Sequence, residues 1–217
     1  METALRSTGV QARVHWKAFQ LNPGASDIPS NKLEMYMSKF GFEAVSAIRR
    51  REYCSPPARH RCERENTHLH AGMGREQVMR MTAGMRQNFA NVGLPYAFTD
   101  QGVVANTMDA HRVLAWCGTP EAQDKAVEVI FRGYFAEERA PNDRALLIEA
   151  CVAAGKSEEE ARAFLDDKAA MRDQVQRELS EARGVRGVPH FVIRQPGRDP
   201  VQISGAQPPD VFERALQ

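Results

Sequence analysis

The sequence predicts an α/β fold in which a block of helices lies between strand-forming segments. Apolar and polar residues alternate in Arg13–Phe19 and again from Val188 to Ser204, which is the pattern of half-buried strands. Between these segments, apolar residues recur at three- and four-residue spacing from Val78 to about Ala182, as in amphipathic helices. The expected order is therefore strand, helical block, hairpin and final helix.

The N-terminal part predicts one strand and short helical segments. Thr3–Ser7 is typical of the tail of a helix, and Arg13–Phe19 alternates as a strand. Leu21–Ala25 contains Asn, Pro and Gly and therefore predicts a turn. A short helix is expected over Asn31–Phe40, with Ser30 as its N-cap.

The stretch Phe42–His70 has few apolar residues and many arginines, so we expect an irregular insertion. Cys54, Cys62, His68 and His70 do not have the spacing of a zinc module, which disfavours metal binding. Acidic residues interrupt the arginines and no aromatic platform accompanies them, which disfavours nucleic-acid binding.

Five helices are expected in the central block. Pro120 stands at the first position of one of them, and Ser157 with Glu160 forms a capping box at the start of another. The predicted helices run from Val78 to Val92, from Asn106 or Thr107 to Cys117, from Thr119 to Tyr134, from Asp143 to Gly155, and from Ser157 to about Ala182.

The last part of the chain predicts a hairpin and a helix. Val188–Arg194 and Val201–Ser204 alternate as strands, and Gln195–Pro200 forms the loop that joins them. Pro208 begins a final helix that extends to Leu216.

Charge and composition disfavour several classes of function. The 217 residues carry a net charge of +1, so no overall field favours nucleic acid or anionic membranes. No apolar run approaches the roughly 20 residues that span a bilayer. Residues 1–6 lack the apolar core of a signal peptide, and the four cysteines contain no Cys-x-x-Cys pair. We therefore expect a cytoplasmic protein without membrane, metal or nucleic-acid partners.

Four stretches resemble one known family. Trp16–Pro23 resembles its W-x-P-F-x-L-x-P strand and turn, and Asn106–Arg112 resembles its N-T-x-x-A-H-R helix start. Gly184–Val192 is similar to its G-V-x-G-V-P-x-F loop and strand, and Ser204–Gln207 to its S-G-A-Q turn. The sequence is identified on these motifs as a member of the DsbA-like thioredoxin-fold oxidoreductases, FrnE-type branch. Relatives are 2-hydroxychromene-2-carboxylate isomerase and kappa-class glutathione transferase.

The resemblance implies a thioredoxin-like α/β fold with an inserted all-helical domain and a truncated N-terminal βα portion. Family members begin with a strand that leads to Cys-x-x-Cys, and this segment has no counterpart in the chain. The expected domains are an N-terminal remnant over 1–41, the insertion over 42–70, a helical domain over 71–183, and a C-terminal ββα segment over 184–217. A missed first exon and a retained intron are our hypothesis for the late start and the insertion. Sequencing the transcript from its 5′ end and across the junction near Gly41 tests it.

The same resemblance implies a substrate-binding site. In the family, Val188-Pro189 would be a cis peptide bond that presents its backbone to an extended substrate or to glutathione. Asn106, Thr107 and His111 would line the pocket, although the first two can equally be helix caps and His111 a packing residue. The turn residues Ser204, Gly205 and Gln207 would offer backbone amides to a glutathione carboxylate, or form an ordinary strand-to-helix turn.

None of the cysteines is a convincing nucleophile, so no catalytic residue is assigned. Cys117 lies near a helix C-terminus, where the dipole disfavours a thiolate. Cys151 falls on the apolar stripe of its helix. Cys54 and Cys62 belong to the insertion.

The sequence thus predicts a thiol–disulfide oxidoreductase family member that is inactive as written because it lacks Cys-x-x-Cys. Two alternatives remain open: a glutathione-dependent isomerase or transferase, and a non-catalytic binding protein on the same fold. No cofactor is required, although glutathione is a candidate. The expected partner is a peptide or small molecule that contains a thiol or disulfide, and a homodimer is a further option.

Overall fold

A computed structural model describes residues 1–39 and 74–217. The helices are α1 (Glu2–Thr8), α2 (residues 32–39), α3 (Arg75–Asn91), α4 (Met108–Cys117), α5 (Pro120–Phe135), α6 (Arg144–Ala153), α7 (Glu158–Asp166), α8 (Arg172–Glu181) and α9 (Pro209–Leu216). The strands are β1 (Ser30–Asn31), β2 (Val103–Val104), β3 (His190–Ile193) and β4 (Val201–Ser204). Among these described helices, none is long and apolar enough to cross a membrane.

The contacts between residues divide the chain into two compact units. Unit 1 contains Met1–Ala25, Asn106–Ile130 and Pro141–Gln217, and unit 2 contains Ser26–Ala105 and Phe131–Ala140. The predicted insertion over 42–70 and the boundaries at its two ends lie outside the described residues. The predicted boundary at residue 183 stays a prediction.

The largest core of unit 1 lies among α4, α5, α6 and α7. Val113, Leu147 and Cys151 are buried there, together with Phe164 from α7. Asp143 caps α6 because its carboxylate accepts hydrogen bonds from the first backbone amides of the helix. Ser157 and Glu160 form the predicted capping box at the start of α7. The predicted starts of α6 and α7 are therefore confirmed.

A second core in unit 1 joins the N-terminal helix to the C-terminal hairpin. β3 and β4 pair antiparallel, with Phe191 opposite Ile203. Ile203 packs with Ala4 of α1 and Phe212 of α9, and Phe191 meets the Phe212 ring edge-on at 4.9 Å. One face of the hairpin is consequently covered by α1 and α9.

The predicted strand Arg13–Phe19 is wrong, since this segment has no strand partner in the part of the chain that the structure describes. Side chains satisfy its backbone instead. The amide of Trp16 donates to Gln123 Oε1 at 3.2 Å, and the amide of Ala18 donates to Glu178 Oε2 at 3.0 Å. Ala18 is buried against α4 and α8. The alternation of apolar residues reflects burial of the segment on helices rather than in a sheet.

The predicted single helix from Ser157 to Ala182 is also wrong, because it is divided into α7 and α8. The buried guanidinium of Arg112 enters the break and donates to the carbonyls of Phe164, Asp167 and Ala170. These carbonyls lie at the end of α7 and in the following loop, where no helical amide can reach them. Met171, with φ 59°, then starts α8.

Unit 2 contains the short β1–β2 ladder, in which Asn31 pairs with Val103. Asn31 also caps α2, since its Oδ1 accepts from the amide of Glu34 at 2.9 Å, so the cap is one residue later than predicted. The core of this unit contains Leu33, Val78 and Phe98.

Candidate substrate-binding site

The residues around Val188-Pro189 form one connected group. The Val188–Pro189 peptide bond is cis in the structure. The carbonyl of Pro189 accepts a hydrogen bond from the amide of Gly205 at 2.8 Å. Gly205 has φ 79°, a conformation that glycine adopts without strain. Gln207 Nε2 donates to the carbonyl of Ser204 at 3.0 Å, which holds the turn before α9.

One edge of β3 is open. The hydrogen bond between residues 189 and 205 sets the alternation along the ladder, so Phe191 and Ile193 exchange hydrogen bonds with β4. The backbone groups of His190 and Val192 therefore point away from β4. Within the described residues β3 has no other neighbouring strand, and the amide and carbonyl of Val188 have no hydrogen-bond partner there. Residues 188, 190 and 192 thus present unpaired backbone groups on one edge.

The side chains at this edge are accessible. Val188 is 54% exposed and Val192 is 40% exposed. Side chains at alternate positions share one face of a strand, and this face is the one opposite the core formed with α1 and α9.

The sequence interpretation missed His190, which follows the cis-proline directly. Its Nδ1 is hydrogen-bonded to Ser204 Oγ at 3.0 Å across the ladder. The adjacency of His190 to Pro189 was visible in the sequence. The pairing with Ser204 depends on the hairpin register.

Asn106 connects the turn after residue 19 to the start of α4. Its Oδ1 accepts from the amide of Met108 at 2.8 Å and from Gln20 Nε2 at 2.9 Å. Its Nδ2 donates to the carbonyl of Ala25 at 2.9 Å. Thr107 is the N-cap residue of α4 but makes no side-chain cap hydrogen bond. All the polar atoms of the Asn106 side chain are therefore used in holding the fold.

His111 lies one turn into α4 and faces the same N-terminal segment. Its Nε2 is 3.0 Å from the carbonyl of Phe19, so this ring nitrogen carries the proton and donates. Burial lowers the pKa of His111, and the Phe19 carbonyl and the charge of Glu178 oppose only part of that shift. The imidazole is neutral at pH 7, and its hydrogen bond fixes the segment that follows Ala18.

The eight predicted site residues thus fall into two groups. Within the described residues, no hydrogen bond joins the group around Pro189 to the group around Asn106. The members of the first group are Val188, Pro189, Ser204, Gly205 and Gln207, and those of the second are Asn106, Thr107 and His111.

The two cysteines that the structure describes are buried free thiols. Burial raises the pKa of Cys117, and the charge of Lys156 opposes this only in part. Burial, and to a smaller extent the neighbouring Cys117, raises the pKa of Cys151 to about 12. Neither thiol has the lowered pKa that disulfide exchange requires. Cys54 and Cys62 lie outside the described residues.

Across residues 1–39 and 74–217, no three His, Cys, Asp or Glu side chains are grouped as metal ligands. The Cys54, Cys62, His68 and His70 set discussed above lies outside these ranges.

Comparison with known proteins identifies the class. The model of the DSBA-like thioredoxin domain matches residues 57–217, which is well over half of the chain, so the chain belongs to this family. The fold is therefore the predicted thioredoxin-like α/β fold, with many helices and few strands. A solved structure, a probable DsbA oxidoreductase from Streptomyces coelicolor, superposes with a TM-score of 0.74 at 31% sequence identity. The match covers 99% of this chain and 79% of that one. No curated protein matches the chain.

Proposed function

We propose that the chain is a FrnE-type member of the family that binds an extended substrate at the backbone of Val188-Pro189 but does not exchange disulfides as the 217 residues stand. The observation that carries the proposal is the exposed, unpaired backbone of Val188 within the described residues, combined with the raised pKa values of the two described thiols, Cys117 and Cys151. The four motif stretches support the FrnE-type branch.

The binding half of the proposal follows from the edge geometry. An extended peptide can add as a strand when a sheet edge offers unpaired amides and carbonyls at every second residue. Within the described residues Val188, directly before the strand, offers such an amide and carbonyl. The exposed side chains of Val188 and Val192 provide apolar contact beside the backbone bonds.

The chemical half of the proposal follows from the thiols. Disulfide exchange needs a thiolate that attacks one sulfur of the substrate and a second thiol that resolves the mixed disulfide. The sequence contains no Cys-x-x-Cys, and both Cys117 and Cys151 are buried with raised pKa values. The proposed substrate is a peptide or small molecule with a thiol or disulfide, bound without turnover.

Insulin reduction in the presence of dithiothreitol tests the chemical half. We expect the 217-residue chain to be no faster than free cysteine at the same thiol concentration. The double variant Cys117→Ala/Cys151→Ala should give the same rate as the parent chain. Catalysis well above free cysteine would overturn the proposal, and its loss in the double variant would identify the thiols responsible.

Photo-crosslinking tests the binding half. A cysteine-free extended peptide that carries benzoylphenylalanine at its centre should form adducts within residues 185–193, as mapped by mass spectrometry. Adducts concentrated on any other element would show that the open edge is not the binding site.

The second candidate function is a non-catalytic binding protein, and the buried thiols favour it as well. The two functions can be distinguished by adding the Cys-x-x-Cys segment of a relative to this chain. If the chain is a family oxidoreductase, the extended protein should reduce insulin. If it is a dedicated binding protein, the extended protein should bind the peptide and remain inactive.

A further inference from the structure

Lys32 is a buried amine that the proposed function does not use. It is the first residue of α2, only 3% of the residue is exposed, and its Nζ has no hydrogen-bond partner. The Nζ lies 3.8 Å from the centroid of the Tyr134 ring and 5.9 Å from that of Phe98. An aromatic face attracts a cation but supplies no acceptor for its N–H groups. Protonation of Lys32 therefore favours any arrangement that brings an acceptor to the amine.

A carboxylate close to Lys32, that of Glu138, is bound to another residue. Its Oε1 accepts a hydrogen bond from the amide of Thr99 at 2.6 Å, and its Oε2 accepts one from the Thr99 hydroxyl at 2.5 Å. Glu138 has φ 56°, in the left-handed region that residues with a side chain seldom adopt. The two hydrogen bonds to Thr99 thus hold Glu138 in an unfavourable backbone conformation.

Gly102 brings the two side chains together. A Cβ on Gly102 would lie 2.8 Å from Glu138 Oε1 and 3.4 Å from Lys32 Cδ. The carboxylate and the stem of the lysine therefore pack against the same point of the backbone. The amine is two bonds beyond Cδ, so rotation of the Lys32 side chain with a small movement of Glu138 would bring the two charges into contact. The carbonyl of Gly102 also accepts from the backbone amide of Lys32 at 2.8 Å.

The other ionisable groups of this cluster do not replace Glu138 as an acceptor. Three tyrosines act on one another electrostatically, and burial raises the pKa of each, so their hydroxyls stay neutral near pH 8. They are Tyr36 of α2, Tyr96 before β2 and Tyr134 of α5. Arg86 of α3 acts on Tyr96 and is a cation. Asp100, in the turn before β2, is paired with Arg75 of α3 at 3.6 Å. Among the described residues, Glu138 is the carboxylate that acts on the buried amine.

We propose that Thr99 and Lys32 compete for the Glu138 carboxylate, so that binding of a proton by Lys32 releases the turn 99–102 from Glu138. With a neutral amine, Glu138 stays on Thr99. With a charged amine, an ion pair between Glu138 and Lys32 satisfies the ammonium, and water replaces Glu138 at Thr99, which is exposed. All three residues belong to unit 2, so the inference does not rest on the proposed binding at Val188-Pro189.

Linkage gives the sign and the size of the effect. Burial lowers the pKa of Lys32 to about 8 in the enclosed state, whereas an amine that has left this site returns towards 10.5. The released state thus binds the proton more tightly, and its share rises as the pH falls. Between pH 9.0 and pH 7.0 the ratio of released to enclosed molecules should increase about tenfold.

Thr99→Val tests the competition. It removes the hydroxyl that donates to Glu138 and keeps the shape of an exposed side chain. Because Thr99 then holds the carboxylate less strongly, the titration midpoint of Lys32 should rise by about one pH unit. The ¹³Cε chemical shift of Lys32 in the full 217-residue chain measures it, and Lys32→Met identifies the signal by its absence.

Thr82→Val is the matched control. It removes a hydroxyl in the same unit that donates only to carbonyls of its own helix, so the midpoint of Lys32 should stay as in the parent. An unchanged midpoint in Thr99→Val, or an equal shift in the two variants, would overturn the competition.

The reciprocal effect is measured by hydrogen exchange at Thr99. After correction for the intrinsic rate, the Thr99 amide of the parent should be about tenfold less protected at pH 7.0 than at pH 9.0, and Lys32→Met should abolish this difference. The Thr82 amide, within α3, should be much more strongly protected at both pH values. Equal protection of the two amides would show unfolding of the whole unit, and a pH effect that persists in Lys32→Met would show another titrating group. Either result would refute the inference.

Discussion

Replacing Lys32 by methionine should stabilise unit 2 in a pH-dependent way. The Lys32 side chain is buried, with 3% of the residue exposed, and its Nζ has no hydrogen-bond partner. The ammonium lies over the ring of Tyr134, 3.8 Å from its centroid. Burial lowers the pKa of Lys32 to about 8, and the negative charge of Glu138 offsets only part of this. Glu138 is itself engaged, since both of its carboxylate oxygens accept hydrogen bonds from Thr99.

The magnitude follows from the difference between the folded and unfolded pKa values. A shift from 10.5 to about 8 corresponds to about 3 kcal/mol of destabilisation at pH 7. The Lys32→Met variant should therefore be more stable than the parent by up to about 3 kcal/mol at pH 7, because the thioether chain fills similar space without a charge.

The sign of the pH dependence is opposite to that of a paired lysine. Between pH 8 and pH 10.5 the unfolded chain binds more protons than the folded chain, so the stability of the parent rises with pH. From pH 7 to pH 9.5 the advantage of Lys32→Met should shrink by about 2 kcal/mol. Tyrosines around the amine do not interfere in this window, since burial raises the pKa values of Tyr36, Tyr96 and Tyr134.

Urea unfolding followed by far-UV circular dichroism at pH 7.0 and 9.5 measures the difference in the free energy of unfolding between Lys32→Met and the parent. Lys125→Met, at an exposed lysine, is the control and should show no comparable change with pH. The ¹³Cε chemical shift of Lys32, identified by its absence from the spectrum of Lys32→Met, should titrate near pH 8. Titration near pH 10.5, or a stability difference that does not change with pH, would refute the desolvation argument.

Three further predictions concern unit 1. Arg112→Leu should lower the free energy of unfolding by about 3–5 kcal/mol, because it removes the charged donor from the carbonyls of Phe164 and Ala170 and leaves Asp109 with Lys168 alone; a loss below about 1 kcal/mol in urea unfolding would contradict this. Glu178→Gln removes the ion pair with Lys17 and weakens the acceptor for the amide of Ala18, so chymotrypsin should cleave the variant within residues 13–19 faster than the parent. An unchanged rate of cleavage would show that other contacts hold this segment. Iodoacetamide should alkylate Cys151 at pH 8 at least a thousandfold more slowly in the native chain than in urea, since a pKa of about 12 leaves only about one thiol in 10⁴ ionised. Mass spectrometry of tryptic peptides measures the alkylation rate, and rapid labelling of the native chain would show that the thiol is accessible.

Local signals in the sequence were sufficient for most helices and for the hairpin. Capping residues act within one turn, so the starts of α6 and α7 could be predicted from Asp143 and from Ser157 with Glu160. The break between α7 and α8 could not be predicted this way. The residue that stabilises it, Arg112, is 52 positions from Phe164 and binds carbonyls, which leave no pattern in side-chain periodicity.

The predicted strand at Arg13–Phe19 failed for a related reason. Alternation shows which side of an extended segment is buried but not what covers it. Here the amides of Trp16 and Ala18 are paired with the side chains of Gln123 and Glu178, which lie more than 100 positions away. A pattern of apolar residues cannot distinguish this arrangement from a sheet.

The eight site residues that the family motifs indicate stay a prediction. The motifs did not indicate that the side chains of Asn106 and His111 form hydrogen bonds with the segment between Phe19 and Ala25. The burial of Lys32 had no sequence signal either, because it depends on aromatic residues from distant segments such as Phe98 and Tyr134.

The residues of the proposed binding site and the described thiols are associated with different cores of unit 1. Val188, Pro189 and Gly205 are positioned by the hairpin register, and the hairpin is held by the core that Ile203 and Phe212 form with α1. Neither described thiol takes part in that core, since Cys117 and Cys151 belong to the core among α4, α5, α6 and α7. The position of Val188-Pro189 therefore does not depend on the redox state of these two cysteines. It follows that the proposed binding at Val188-Pro189 should persist without disulfide exchange by Cys117 or Cys151.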